Sequence, residues 1–194
     1  LNAAPAEGTP WRIQVKNGVW QERLVITKPV TLIGESQTHT LIEANTPAGA
    51  RDETGKKWGT FRTSTVEVRA SGVTLENLTI RNTFDFPANS ALPDNSPNKL
   101  KETQAVALMV SAKVDKARFR HITLEGWQDT FYSQAGSRSY FTDCRISGHV
   151  DFIFGGGTAV FNRCDIVARN RRDIAPPLGY VTAPSTQKDQ PYGL

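Results

Sequence analysis

At 194 residues the chain is long enough for one cooperative domain with a sizeable core and too short for two of ordinary size, so residues 1–194 are read as a single unit. The composition, 38% hydrophobic and 22% charged, is that of an ordinary folded protein, and with no apolar run near the roughly 20 needed to span a bilayer no membrane partner is expected. The net charge of +4 suits an acidic partner, but the densest basic run, Arg169-Asn170-Arg171-Arg172, lacks zinc-finger spacing, an RNA-binding aromatic signature and a basic heptad, so no nucleic-acid partner is expected.

The chain opens on LNAAPAEGTPW, which lacks the charged start and apolar stretch of a secretory signal, so export is inferred only for a precursor. Helical patterns are scarce thereafter. β-Branched residues cluster, Gly and Pro recur, and apolar positions alternate in short runs such as STVEVRA, QAVALMV and DTFYSQ, an all-β reading. A six-residue pattern then returns along the chain as LENLTI at 75–80, FRHITL at 119–124, FTDCRI at 141–146 and FNRCDI at 161–166, with its first, fourth and sixth positions apolar or cysteine. Its last residues, Ile80, Leu124, Ile146 and Ile166, are separated by 44, 22 and 20 residues, and 44 is twice 22. Repeats of this length imply a solenoid whose stacked coils bury a continuous core, and the parallel β-helix fits best. A leucine-rich repeat is disfavoured because its LxxLxLxxN signature is missing. Residues 84–103, rich in proline and polar side chains, interrupt the repeat and read as a long loop that forms either a wall of a binding cleft or a plain surface excursion.

Superposing consecutive coils puts Cys144 and Cys164 at the same position of neighbouring turns, where Leu78 and Ile122 stand earlier. Strands about 4.8 Å apart are compatible with a disulfide, and a pair of buried free thiols is the alternative.

Two aspartates carry the chemistry: Asp129 in GWQDTFY and Asp151 in HVDFIFGGG, 22 residues or one coil apart. Gln104 lies 24 residues before Gln128, close to one further coil back. The expected cluster is therefore Gln104, Gln128, Asp129 and Asp151. Carboxylates in such proximity repel each other's ionisation, and apolar neighbours such as Trp127, Tyr132, Phe152 and Phe154 raise the cost of charge. One protonated and one ionised aspartate supply a general acid and a nucleophile, and glutamine amides can donate to an oxyanion without adding charge. Turn residues, or buried carboxylates satisfied by backbone donors, are the plainer reading of either aspartate alone. The three histidines have no metal-ligand spacing, no serine occupies a G-x-S-x-G elbow, and Gly155-Gly156-Gly157 reads as a tight solenoid turn rather than a phosphate loop. No metal or cofactor is expected.

These residues resemble those of the pectin methylesterases, carbohydrate esterases, and their bacterial branch in particular. The matching segments run through nearly the whole chain: GVWQERL, LIGES, KWGT, LTIRNTFDFPAN, TQAVAL, GWQDTFY, CRISGHVDFIFG and GYVTAPST. The QDT and VDFIFG blocks in that order are the specific ones. The resemblance implies a single-stranded, right-handed parallel β-helix that hydrolyses methyl esters of polygalacturonate. Asp151 would be the nucleophile, Asp129 the acid and then the base, Gln128 the oxyanion donor, and Gln104 its assistant in holding substrate. It also implies that Thr60, Arg171 and Tyr180 contact the galacturonate chain, with Val150 and Phe154 lining the cleft. Secretion, action as a monomer and methyl-esterified homogalacturonan as partner follow from the same likeness. His149 replaces the family's threonine and Phe131 its leucine. The family's GRPW block, whose arginine pairs with the nucleophile, is not reached before Leu194, so an incomplete enzyme lacking C-terminal coils is expected. Rival readings are a glycoside hydrolase using paired carboxylates, a non-catalytic polysaccharide-binding solenoid, and an esterase acting on another ester.

Overall fold

A computed structural model describes residues 3–4, 10–170 and 179–194. Its strands come in threes, one triplet per coil. The first coil holds β1 (Trp11–Val15), β2 (Gly18–Gln21) and β3 (Leu24–Ile26), and the second β4 (Val30–Gly34), β5 (Thr40–Ala44) and β6 (Val66–Val68). The third holds β7 (Thr74–Glu76), β8 (Thr79–Asn82) and β9 (Leu108–Val110), and the fourth β10 (Ala117–Arg120), β11 (Thr123–Glu125) and β12 (Phe131–Ser133). In the fifth are β13 (Arg138–Thr142), β14 (Arg145–Gly148) and β15 (Val150–Gly155), and in the sixth β16 (Thr158–Asn162), β17 (Asp165–Ala168) and β18 (Tyr180–Pro184). Every third strand pairs in parallel, giving three six-stranded sheets: β1-β4-β7-β10-β13-β16, β2-β5-β8-β11-β14-β17 and β3-β6-β9-β12-β15-β18. This is the parallel β-helix expected from the repeat. Among the described residues no helix is long and apolar enough to cross a membrane.

The recurrent hexapeptide explains how each coil turns. Its first residue lies on the first sheet, where Leu32, Leu75, Phe119, Phe141 and Phe161 stack in register, and its sixth lies on the second sheet, in the column Ile42, Ile80, Leu124, Ile146 and Ile166. Between them the third residue of every copy, Asn77, His121, Asp143 or Arg163, takes a left-handed conformation with φ of 50–56°. That sharp bend swings the chain from one sheet to the next and lets the fourth residue point inward. Stacking then fills the interior: Phe119 and Phe141 are 4.5 Å apart between ring centroids, and Phe141 and Phe161 4.8 Å. These spacings match the separation of adjacent strands, so side-chain packing and backbone pairing share one period.

Three expectations are corrected or refined. The 44-residue step from Ile80 to Leu124 is one coil, since β8 and β11 are direct neighbours; the extra length is the 84–103 excursion. Within that excursion Phe86–Ala91 forms a short helix, α1, capped by Asp85, whose carboxylate accepts from the backbone NH of Ala88 at 3.0 Å, with Pro87 in the first turn. The expected Cys144–Cys164 disulfide is not formed, and both residues are free thiols. Cys144 donates to the carbonyls of Thr142 (3.2 Å) and Phe119 (3.4 Å), and Cys164 to that of Asn162 (3.4 Å). In-register stacking satisfies the spacing of a disulfide, but the bond also requires a specific Cβ–S–S–Cβ geometry that spacing alone does not supply. Burial also pushes the Cys144 thiol up to about 12, away from the reactive thiolate.

Phe141 sits at the middle of the aromatic column, fully buried against Phe119, Phe131 and Phe161. Phe141→Ala should lower unfolding free energy by about 3–5 kcal/mol, read by urea denaturation; a loss under about 1 kcal/mol would contradict this packing.

Candidate active site

The chain passes from the second sheet to the third at a further corner, and both aspartates stand there. Gln104 bridges in parallel to Gln128, Gln128 to Val150, and Val150 to Tyr180, so these four residues form one column across successive coils. One residue further on, the Ala105 NH donates to the Gln128 carbonyl and the Asp129 NH to the Val150 carbonyl, each at 3.1 Å. Asp129 and Asp151 are thus equivalent residues of adjacent coils, as their 22-residue spacing foretold. Both adopt left-handed backbone, with φ of 65° and 51°. Aspartate tolerates this region better than most residues, yet it costs on the order of 1 kcal/mol per site. That strain turns both carboxyl groups out of the regular strand direction at the same corner.

The two carboxyl groups differ in environment. Asp129 is 7% exposed, and its carboxyl makes no hydrogen bond among the described residues. Burial first, and the neighbouring Asp151 charge second, raise it to about 7. Asp151 is only half-buried.

The glutamines flank this pair. Thr103 Oγ1 donates to Gln128 Oε1 at 2.8 Å. The side-chain oxygen of Gln104 is buried without a hydrogen-bond partner among the described residues, while its backbone carbonyl accepts from the Ala48 NH at 2.8 Å. Among the described residues no three His, Cys, Asp or Glu side chains converge as a metal site requires.

Two excursions wall the site. On one side α1 packs Phe86 against His149 (4.2 Å) and Trp127 (6.1 Å), and Arg169 lies 3.7 Å above the Trp127 ring. On the other, the 45–65 segment between β5 and β6 carries Thr60 at the start of a short 3-10 helix, Thr60–Arg62. Trp58 steadies it, with the guanidinium groups of Arg23 and Arg62 at 4.4 and 5.3 Å from its ring. The next residue, Phe61, is 61% exposed and packs 5.2 Å from Tyr132, which stacks on Phe154 at 4.5 Å. Phe61 was missed in the sequence because its loop follows no period; the aromatic pair Trp58 and Phe61 in an otherwise polar stretch was the only available signal. Thr103 was missed because only its neighbour belonged to the glutamine column. Val150 and Tyr180 lie in that column, whereas Arg171 falls outside the described residues.

The raised Asp129 carboxyl has a consequence for stability. Its folded value of about 7 exceeds its ordinary 3.8, so the folded chain holds a proton that the unfolded chain releases between those values. Stability contributed by this group is full below the lower value, falls as pH rises, and levels off above the upper one. The total loss is on the order of 4 kcal/mol at most. Asp129→Asn should remove this decline, becoming more stable than the parent near pH 8 with little difference near pH 4. Denaturant midpoints at both pH values measure it, and parallel curves for the two proteins would refute the burial argument.

Known proteins share this fold. The sequence profile described as Pectinesterase matches residues 1–193. Pectinesterase A of Dickeya chrysanthemi is 52% identical over 197 residues, covering 100% of this chain and 54% of that protein. Among solved structures, the pectin methylesterase from Yersinia enterocolitica aligns with a TM-score of 0.98 at 59% identity, covering 100% of this chain and 61% of that one. A pectin methylesterase in complex with a hexasaccharide aligns at 0.95 and 52% identity, covering 100% and 57%. The chain spans little more than half the length of these relatives, and over that span its backbone superposes on the solved ones closely: it belongs to the pectinesterase family.

Proposed function

We propose that the protein hydrolyses methyl esters of polygalacturonate, releasing methanol and leaving free carboxylates on an uncut chain. The observation that carries this reading is the pair of aspartates on adjacent coils, one buried and holding its proton to about pH 7, the other half-exposed. The Asp151 carboxylate attacks the ester carbonyl carbon. Negative charge moves to the carbonyl oxygen, where the amide NH groups of Gln128 and Gln104 receive it. Asp129, neutral, gives its proton to the departing methoxy oxygen, and methanol leaves an acyl–aspartate. The Asp129 carboxylate then takes a proton from water as that water attacks the acyl carbon, returning both side chains to their starting states. One ester and one water are consumed, and one acid and one methanol are formed.

The surroundings support a sugar acid polymer as substrate. Phe61, Tyr132 and Phe154 offer apolar ring surface on which sugar rings can lie. The net charge of +4 favours approach of a polyanion. Thr60, Val150 and Tyr180 are read as cleft contacts, and Arg171 as a partner for a galacturonate carboxylate. Export of a monomeric protein to where such polymers occur completes the reading.

Methanol release from highly methylated pectin by the native protein tests it. Asp151→Ala should abolish release, Asp129→Asn should lower kcat by at least about 100-fold, and reducing ends should not accumulate with any variant. Because the acid must be protonated, kcat should fall as pH rises through about 7. Methanol release that survives Asp151→Ala, or chain cleavage by the parent, would overturn the assignment.

A further inference from the structure

The side-chain amide of Gln128 has two orientations of nearly equal shape and opposite function. With its nitrogen facing the reacting carbonyl it donates; turned over, it presents a second oxygen to a developing negative charge. A glutamine on a half-exposed corner has no intrinsic preference between them, so a neighbouring group is needed to keep the donor end in place.

We propose that Thr103 is the positioning residue that anchors the Gln128 amide with its nitrogen turned outward; this rests on the reading of Gln128 as the oxyanion donor. Thr103 Oγ1 lies 2.8 Å from Gln128 Oε1. In the structure it is the amide oxygen that faces the threonine, and because a carbonyl oxygen only accepts, the hydroxyl donates and holds that end of the amide. Geometry then sends the NH2 group away from Thr103. That nitrogen makes no hydrogen bond among the described residues and is not sealed from solvent, leaving both its protons for a ligand. An amide whose acceptor end is anchored and whose donor end is open is arranged for an incoming oxygen.

Thr103 is itself well placed to serve as an anchor. It sits between two residues tied to the 45–65 segment: the carbonyls of Glu102 and Gln104 accept from the NH groups of Gly49 (2.9 Å) and Ala48 (2.8 Å). Lys57 adds an ion pair to Glu102 at 2.6 Å. Branching at Cβ restricts the threonine to few rotamers, so a backbone held on both sides fixes the hydroxyl. The cleft wall and the donor amide are thereby connected through one side chain.

The test compares Thr103→Val, which keeps shape but loses the donor, with Thr103→Ser, which keeps the donor. In the native protein Thr103→Val should lower kcat on methylated pectin by roughly 10- to 100-fold with KM changed less than about threefold, because the lost interaction forms only in the transition state. Thr103→Ser should recover most of the rate. Adding Thr103→Val to Gln128→Ala should cost nothing further, since the hydroxyl acts only through that amide. Independently of any substrate, NMR relaxation of the Gln128 side-chain NH2, assigned by its loss in Gln128→Leu, should report a rigid amide in the parent and in Thr103→Ser and a mobile one in Thr103→Val. Unchanged kcat in Thr103→Val, additive losses in the double variant, or an equally rigid amide without the hydroxyl would each overturn the proposal. A parent that releases no methanol would overturn the esterase reading instead, and the relaxation measurement would still decide whether Thr103 orients the amide.

Discussion

Parallel, in-register pairing of every strand with the strand one coil away is the constraint on which the rest depends. It imposes a single spacing on backbone and side chains together. Phe119, Phe141 and Phe161 stack at 4.5 and 4.8 Å because their strands do, and the aliphatic column of Ile80, Leu124, Ile146 and Ile166 follows the same step. Each coil buries little alone, and its apolar residues are covered only by the coils above and below.

The same stacking generates the electrostatics of the site. Two carboxyl groups on unrelated loops would have to be brought together by many contacts; here the period of the helix delivers Asp129 and Asp151 to one corner. Their inequivalence comes from depth. Asp129 is nearly inaccessible and its carboxyl has no hydrogen-bond partner among the described residues, so loss of water raises it more than its neighbour's charge does. Left-handed backbone at both aspartates is strain that the flanking ladder bonds of the Asp129 NH and the Tyr180 NH help to hold. Regular coils supply that rigidity, which a mobile loop would lack.

Irregular segments supply what a regular solenoid has no means of providing, a cleft with walls. The 45–65 and 84–103 excursions leave from different coils and meet through the Lys57–Glu102 ion pair and the backbone bonds of Ala48 and Gly49. Phe61 reaches Tyr132 from one of them, and Phe86 reaches Trp127 and His149 from the other. A solenoid core paired with aperiodic walls separates the parts that fix geometry from the parts that meet a ligand.

Much of this was legible in the order of residues. The hexapeptide repeat determined the all-β solenoid, the inward columns, and the alignment of Gln104 with Gln128 and of Asp129 with Asp151, because a coil of constant length turns sequence distance directly into position. Only the tertiary structure decided where that conversion breaks. The step from Ile80 to Leu124 proved to be one coil with an insertion, since a loop adds residues without adding height. Cys144 and Cys164 share a position yet remain thiols, because a disulfide depends on the direction of side chains as well as their separation. The rise of Asp129, the exposed Phe61 and the hydrogen bond from Thr103 to Gln128 likewise depend on burial and contacts between segments far apart in the chain, quantities that periodicity does not encode.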